Sequence, residues 1–478
     1  MSSATDSDRI TAVEQLLQGE RLPPAAIANF IYYYRQLLAG QTGSIPESEI
    51  QPLQSLPDAE QLTADIRHRG SQIRTKTVVI KLNGGLGTSM GLDRAKSLIV
   101  VKNGYTFLDI IARQALSNGV PLLLMNSFAT REDSLARLRQ YPQLSSFGMD
   151  LDFLQHKVPK LDRENLLPVH HPQAPYLEWC PPGHGDIYTA MVTSGILARL
   201  RAAGYRYAFI SNADNLGAEL DESILGYMVR YECPFLMEVT DRTEADKKGG
   251  HLTQRTGGGL LLREAAQCPA GDSASFQDIT RHKYFNTNNL WLDLAALQAA
   301  MEQRGNILGL PLICNAKPVD PRDERSTPVY QLETAMGAAI SVFAGARAIR
   351  VPRSRFAPVK TTNDLFVVRS DAYLLTPDFR LLPARTGSSL PVIDLDGRYF
   401  KLVEAFEQRL PSGIPALAEC RSLKVIGDVK FGSGIRLSGD VIIRNGTGKQ
   451  VLLADNSVLT GEVNFQSDSC PGQANDNR

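Results

Sequence analysis

Residues 78–100, VVIKLNGGLGTSMGLDRAKSLIV, decide how the chain is read. An apolar run, Val78-Val79-Ile80, leads at once into Gly84, Gly85, Gly87 and Gly91. Glycine weakens strands and helices through its backbone freedom, so such a cluster needs a compensating reason. A sufficient one is a backbone that turns tightly and brings its N–H groups up to an anion, commonly a phosphate. The loop is not GxGxxG, and it lacks the GK[ST] ending of a P-loop. Instead Lys96 stands beyond the last glycine. A strand, this loop and then a lysine suit a triphosphate, the lysine acting as a compact cation on a phosphate oxygen.

Outward from that stretch, short apolar runs alternate with amphipathic segments. TVVIKL (77–82), VPLLLMNS (120–127), DLDFLQ (150–155) and YRYAFISNAD (205–214) read as strands. TFLDIIARQALSNG reads as a helix ending at Gly119, SLARLRQYP as one stopping near Pro142, and GDIYTAMVTSGILARLRAAG as one long helix. This α/β alternation implies parallel strands with helices on both faces. Ligands of such sheets sit beyond the carboxyl ends of the strands, where the glycine loop, Gln155 and the Asn212–Asp214 segment all fall and can converge. Residues 8–40 read as two helices separated by Pro23-Pro24, and 41–76 as polar, irregular chain on the surface. Beyond about residue 385, Gly427-Asp428-Val429, Gly439-Asp440-Val441 and Gly461-Glu462-Val463 recur with β-branched runs between them. The repeat resembles stacked β-helix coils, with an irregular antiparallel sheet as the alternative. The tail, 465–478, is polar and expected to be disordered.

The totals narrow the function. A chain of 478 residues exceeds one simple core. Lys plus Arg and Asp plus Glu are equal at 51 each, which argues against a general nucleic-acid binder. The six cysteines are scattered singly, without zinc spacing, as expected of reduced thiols in an intracellular protein. No secretory signal is recognisable, no apolar stretch is long enough to span a bilayer, and a cytoplasmic location is expected.

Several longer blocks now matter. KLNGGLGTSMG followed by AKSLI, PPGHGDIY (181–188), SNADNLGA (211–218), FNTNNLW (285–291), QLETAMGAA (331–339) and VPRSRFAPVKTTNDL (351–365) stand in this order. Together they resemble the eukaryotic-type UDP-glucose pyrophosphorylases (UTP–glucose-1-phosphate uridylyltransferases), over roughly residues 75–375. The departures are modest: Arg94-Ala95 where members commonly carry Gly-Pro, and Ala213 within the family's SNIDN block. Ser89 stands where amino-sugar pyrophosphorylases typically have arginine, which favours the glucose branch. The resemblance implies a Rossmann-like nucleotidyltransferase domain with a mixed, mainly parallel sheet at 77–385. A helical segment, 1–76, precedes it, and a C-terminal β-helix domain, 386–464, follows it. It also implies Mg²⁺ as cofactor, UTP, glucose 1-phosphate, UDP-glucose and pyrophosphate as ligands, no membrane or nucleic-acid partner, and a possible homo-oligomer through the C-terminal domain. The same chemistry on galactose 1-phosphate or an N-acetylhexosamine 1-phosphate, and an inactive nucleotide-sugar-binding protein, stay open.

The chemistry behind the resemblance is self-consistent. A sugar phosphate is already an anion at neutral pH and needs no general base. The barrier lies in joining two polyanions, which cations and positioning lower. Lys96 and Lys360 are the implied catalytic cations and Asp214 the metal carboxylate; alone, Asp214 would read as a turn or cap and Lys360 as a surface lysine. Leu82, Asn83, Gly84, Gly85, Gly183 and Asn212 are implied nucleotide contacts. Gln155 matches the family's uracil-reading glutamine, and its amide donor and acceptor complement uracil O4 and N3–H. His184 is implied as a hydrogen-bond donor to the nucleotide or the sugar phosphate rather than a base, and Asn288 is implied for the glucose. Alternation along a strand puts Asn286 and Asn288 on one face and Asn289 on the other. Glu333 is expected to support the site without an assigned role.

Overall fold

The run ahead of the glycine loop is the strand Thr77–Asn83, nearly all of it buried, as in parallel sheets covered on both faces. The structure is a computed structural model and describes residues 5–385 and 390–466; apart from 465 and 466, the tail expected to be disordered lies outside these residues. Thr77–Asn83 sits between two parallel neighbours, Tyr207–Asn212 and Leu122–Asn126, and Asp152–Leu154 adds a fourth parallel strand. Their register sets Leu82 opposite Asn212, Asn83 opposite Asn126, and Asn126 opposite Leu154. The next residues along three of these strands are Gly84, Gln155 and Ala213, so one aligned edge carries them. Val78, Ile80, Leu123 and Ile210 pack in one core with Ile187, Met191, Ile196 and Leu200.

The whole sheet has ten strands and is mixed. It is not mainly parallel as expected. Tyr284–Asp293 runs antiparallel to both Tyr207–Asn212 and Phe235–Asp241, and His251–Arg255 forms an antiparallel hairpin with Leu260–Arg263. Short glycine-rich turns such as 256–259 allow this, because antiparallel neighbours need no crossover helix.

Two further expectations are corrected. The long helix over 185–204 is two, Ile187–Thr193 and Ile196–Ala202, because Gly195 takes a left-handed φ of 72°. Residues 41–76 are not irregular throughout, since Ala64–Ile73 is a helix. It crosses the helix Glu222–Arg230 at Gly70 and Gly226, where a Cβ on either glycine would overlap a backbone carbonyl of the other helix. The two N-terminal helices are Asp6–Gly19 and Pro24–Leu38, with Val13, Leu17, Phe30 and Tyr34 in their shared core.

In the C-terminal region the Gly-acid-Val repeats lie on parallel strands. Val392–Leu395, Ala416–Ile426, Arg436–Asn445 and Val458–Phe465 form one parallel sheet, and Val429–Phe431 pairs with Val451–Leu453 in another. Gly427, Gly439 and Gly461 all have positive φ; Gly427 lies between two strands, and Gly439 and Gly461 lie within theirs, beside shifts of the strand register. The five cysteines among the described residues are free. Among those residues no helix is long and apolar enough to cross a membrane.

The chain divides into two compact units. Met1–Gly84, Ala112–Ala213 and Ala218–Phe356 make one; Gly85–Ile111, Asp214–Gly217 and Ala357–Arg478 make the other.

Candidate active site

In the first unit, Gly84 and Gln155 meet. A Cβ at Gly84 would lie 2.5 Å from Gln155 Oε1 and 2.9 Å from Nε2, so the missing side chain is what admits the amide. The Gln155 N–H donates to the Asn126 carbonyl at 2.8 Å, continuing the parallel ladder by one residue. Ser127 Oγ donates to the Gly84 carbonyl at 2.9 Å and steadies the turn. Asn83, by contrast, faces inward: its Nδ2 donates to Asn126 Oδ1 at 2.7 Å and Ser134 Oγ at 2.8 Å. Leu82 is half-buried, and its carbonyl accepts from Ala213 N–H at 3.0 Å; Asn212, also half-buried, ends its strand beside it.

Gly183 has φ 79°, and what comes close to it is the chain's own Thr334: a Cβ would clash with the Thr334 carbonyl and lie 2.7 Å from its nitrogen. His184 Nδ1 accepts from Met336 N–H at 2.9 Å, which puts the ring proton on Nε2 and makes that nitrogen a donor. Glu333 lies beside Gly183 and 3.4 Å from Lys317 Nζ.

The asparagine segment departs from regular alternation. The pairing skips from Glu238–Asn289 to Val239–Asn286, so Thr287 and Asn288 form a bulge, with Asn288 at φ 57°. Asn286 Nδ2 donates to Asn288 Oδ1 at 2.9 Å, and the Asn288 N–H returns to Asn286 Oδ1 at 3.0 Å. Asn289 is fully buried and donates to Glu238 Oε2 at 3.0 Å. Glu238, itself buried, also takes Trp291 Nε1 and both arms of Arg355.

In the second unit the glycine loop folds back on its start. Leu86 and Ala95 form an antiparallel bridge, and Lys96 N–H donates to the Gly85 carbonyl at 3.3 Å. Lys96 Nζ donates to Asp214 Oδ2 at 2.7 Å, and Lys360 Nζ donates to the same oxygen at 2.9 Å. The three charged residues singled out across 265 positions of sequence therefore form one cluster. Lys360 stands just ahead of Thr361, the N-cap of the helix Thr362–Arg369, and the capping box of Thr361 and Asp364 fixes where that helix begins. The Lys360 N–H also donates to Asp364 at 2.8 Å. Asn215 Oδ1 accepts from Ala357 N–H at 2.9 Å and the Asp214 carbonyl from Val359 N–H at 3.0 Å, laying 357–360 alongside 214–215. Burial, the largest influence on Asp214, works to raise its carboxyl, but Lys360 and Lys96 outweigh it and hold it below the ordinary value. Lys96 and Asp214 side chains are 17% and 15% exposed and Lys360 is 56% exposed, so the cluster has a sheltered side and an open one.

The family model of the UTP–glucose-1-phosphate uridylyltransferases matches residues 27–438. The chain belongs to this family. Its activity is nucleotidyl transfer, making UDP-glucose from UTP and glucose 1-phosphate. It is 41% identical over 454 residues to the UTP–glucose-1-phosphate uridylyltransferase of Musa acuminata, covering 91% of this chain and 93% of that one. To the enzyme of the same name from Solanum tuberosum it is 39% identical over 479 residues, covering 96% and 97%. The fold matches a mutant UDP-glucose pyrophosphorylase of Leishmania major solved in complex with UDP-glucose, with TM-score 0.89 and 43% identity, covering 96% of this chain and all of that one.

Sequence reasoning missed three residues. Lys81 is buried, and its ammonium donates to Ser211 Oγ at 2.7 Å and the Ala218 carbonyl at 2.8 Å, on either side of the Asp214 segment. Asn215 was quoted within its block, but nothing in the sequence showed that its amide holds 357. Asp186 binds His156, the neighbour of Gln155. A lysine inside an apolar strand was the one signal available for Lys81.

Proposed function

We propose that uridylyl transfer in this chain runs on Lys96, Asp214 and Lys360, with Gln155 and the Gly84–Gly85 turn reading the base. The observation that carries this reading is the convergence of both ammonium groups on one carboxylate oxygen. Two cations held by a shared anion are preorganised for phosphate oxygens, which offer the same kind of acceptor. Lys360, the more exposed of the two, stabilises charge as the phosphoryl group transfers; Lys96 grips the phosphates from the sheltered side. Glucose 1-phosphate attacks the α-phosphorus through its own anionic oxygen, and pyrophosphate leaves. No protein base takes part.

Asp214 also fits a Mg²⁺ ligand. Its Oδ1 is buried without a hydrogen-bond partner while Oδ2 takes both lysines. Among the described residues no group of three His, Cys, Asp or Glu gathers to hold a metal. One carboxylate with substrate phosphates and water suits an ion that keeps much of its hydration. When bound, the metal supplies charge neutralisation at the phosphate oxygens.

Gln155 donates to uracil O4 and accepts from N3–H, while the backbones of Leu82, Asn83, Gly183 and Asn212 and the Asn212 amide contact the rest of the nucleotide. His184 donates from Nε2 to the sugar phosphate, and the Asn286–Asn288 pair offers Asn288 to glucose hydroxyls. The C-terminal parallel sheets are the coils of a β-helix. Their edge strand Val458–Phe465, with Val458 exposed, suits self-association. The test of the metal assignment is a magnesium titration of Asp214→Asn. Activity should be lost together with magnesium dependence, because a neutral amide is a poor ligand for a hard cation. Saturation at wild-type concentration with wild-type rate would remove Asp214 from the metal site.

A further inference from the structure

Asp186 is almost fully buried and directs both carboxylate oxygens at one residue. Its Oδ2 accepts the backbone N–H of His156 at 2.7 Å, and its Oδ1 meets His156 Nδ1 at 2.8 Å. The other ring nitrogen, Nε2, lies 3.0 Å from Thr193 Oγ1. His156 follows Gln155 directly, and Asp186 closes the short turn His184–Asp186. The strand Asp152–Leu154 ends one residue before Gln155, so the sheet itself holds only the Gln155 N–H, through Asn126. The next peptide N–H, that of His156, is held by Asp186 instead.

We propose that Asp186 is a positioning residue for base selection: its carboxylate clamps His156 and thereby fixes the Gln155 amide against Gly84. The proposal rests on the reading of Gln155 as the uracil reader. It requires neither Asp186 nor His156 to touch substrate. A charged acceptor suits the task, because it satisfies a buried N–H and a ring nitrogen at once. Gln155 has three rotatable side-chain bonds. If the peptide that follows it is released, the amide samples positions from which uracil and cytosine are distinguished less well.

Asp186→Asn keeps the size but removes the charge: Oδ1 can still take the His156 N–H, while Nδ2 can only donate to Nδ1, so the ring must move its proton to Nε2 and the charge-assisted bond to the ring becomes a neutral one. The kcat/KM ratio of UTP over CTP is expected to fall about tenfold, a loss of the order of a charge-assisted hydrogen bond weakened to a neutral one. The KM for pyrophosphate, which carries no base, should stay within twofold. Because Asp186 acts through Gln155, the double variant Gln155→Ala/Asp186→Asn should show the same UTP/CTP ratio as Gln155→Ala alone. If Gln155→Ala narrows the ratio and folded Asp186→Asn leaves it at the wild-type value, the clamp is overturned and the base reading stands. If Gln155→Ala itself leaves the ratio unchanged, both fall. A further loss in the double variant would show that Asp186 acts elsewhere. Should Asp186→Asn not fold, His156→Ala keeps the backbone bond and removes the ring. It is expected to narrow the ratio about threefold, and an unchanged ratio would overturn the clamp.

Discussion

Replacing Gly84 by alanine adds one methyl group to the molecule and addresses the base reader directly. The backbone tolerates it, because Gly84 is not among the glycines with positive φ. The new Cβ would stand 2.5 Å from Gln155 Oε1 and 2.9 Å from Nε2. An ordinary contact at that oxygen is 3.4 Å or more, so the amide must retreat by roughly 0.9 Å. What yields is the end of a flexible side chain, so the fold should lose less than about 1 kcal/mol. Base recognition should lose far more. A displacement of that size takes a hydrogen bond out of its working range. Two such bonds, at about 1–3 kcal/mol each, correspond to a fall of thirtyfold or more in kcat/KM for UTP. The assay is steady-state kinetics with UTP and with CTP, alongside a thermal melt. The UTP/CTP ratio should shrink while Tm and the KM for pyrophosphate hold. A folded Gly84→Ala enzyme that uses UTP within threefold of wild type would refute the reasoning.

Other outcomes follow from single features of the first unit. Burial lowers the Lys81 ammonium from 10.5 to about 7. Below about pH 7 the folded and unfolded chains both carry the proton and the penalty is complete; from there to about 10.5 only the unfolded chain does, so stability rises with pH by at most ~1.4 kcal/mol per unit. Urea midpoints at pH 7 and pH 9 should show wild type gaining on Lys81→Met, and a constant gap would contradict the assignment. Gly70→Ala should cost about 2–4 kcal/mol and lower Tm by several degrees, because its Cβ meets backbone that cannot turn aside; an unchanged melt would mean that the helices part freely.

Much of the fold was legible because its signals are local. A buried apolar run followed by glycines gives the strand Thr77–Asn83, and the Pro23-Pro24 pair separates the N-terminal helices. What escaped depends on partners distant in sequence. Gly195 sits inside a helical pattern, and its left-handed φ, which the pattern does not reveal, splits the helix. Ala64–Ile73 has a mostly polar surface, and only the Gly70–Gly226 crossing explains why it is held as a helix. The direction of the antiparallel half of the sheet could not be read, since Tyr284–Asp293 and His251–Arg255 mix polar and apolar residues and are buried without clean alternation. In the candidate site, Lys96, Asp214 and Lys360 are implied by family resemblance, and nothing in their spacing joins them. That the Asn83 amide closes a buried network with Asn126 and Ser134 depends on partners distant in sequence and leaves no local pattern. Asp186 and His156 carry no signal in sequence, because a clamp through a backbone N–H leaves no pattern there.

The central claim is that Lys360 acts on charge developed during transfer rather than on binding. It is tested by Lys360→Ala, measuring the single-turnover rate of UDP-glucose pyrophosphorolysis together with the Kd for UDP-glucose by calorimetry. An interaction realised mainly in the transition state appears in the rate. The account predicts a rate at least a hundredfold lower, about 2.7 kcal/mol or more, with Kd within threefold of wild type. A near-normal rate, or a loss of affinity as large as the loss of rate, would contradict it.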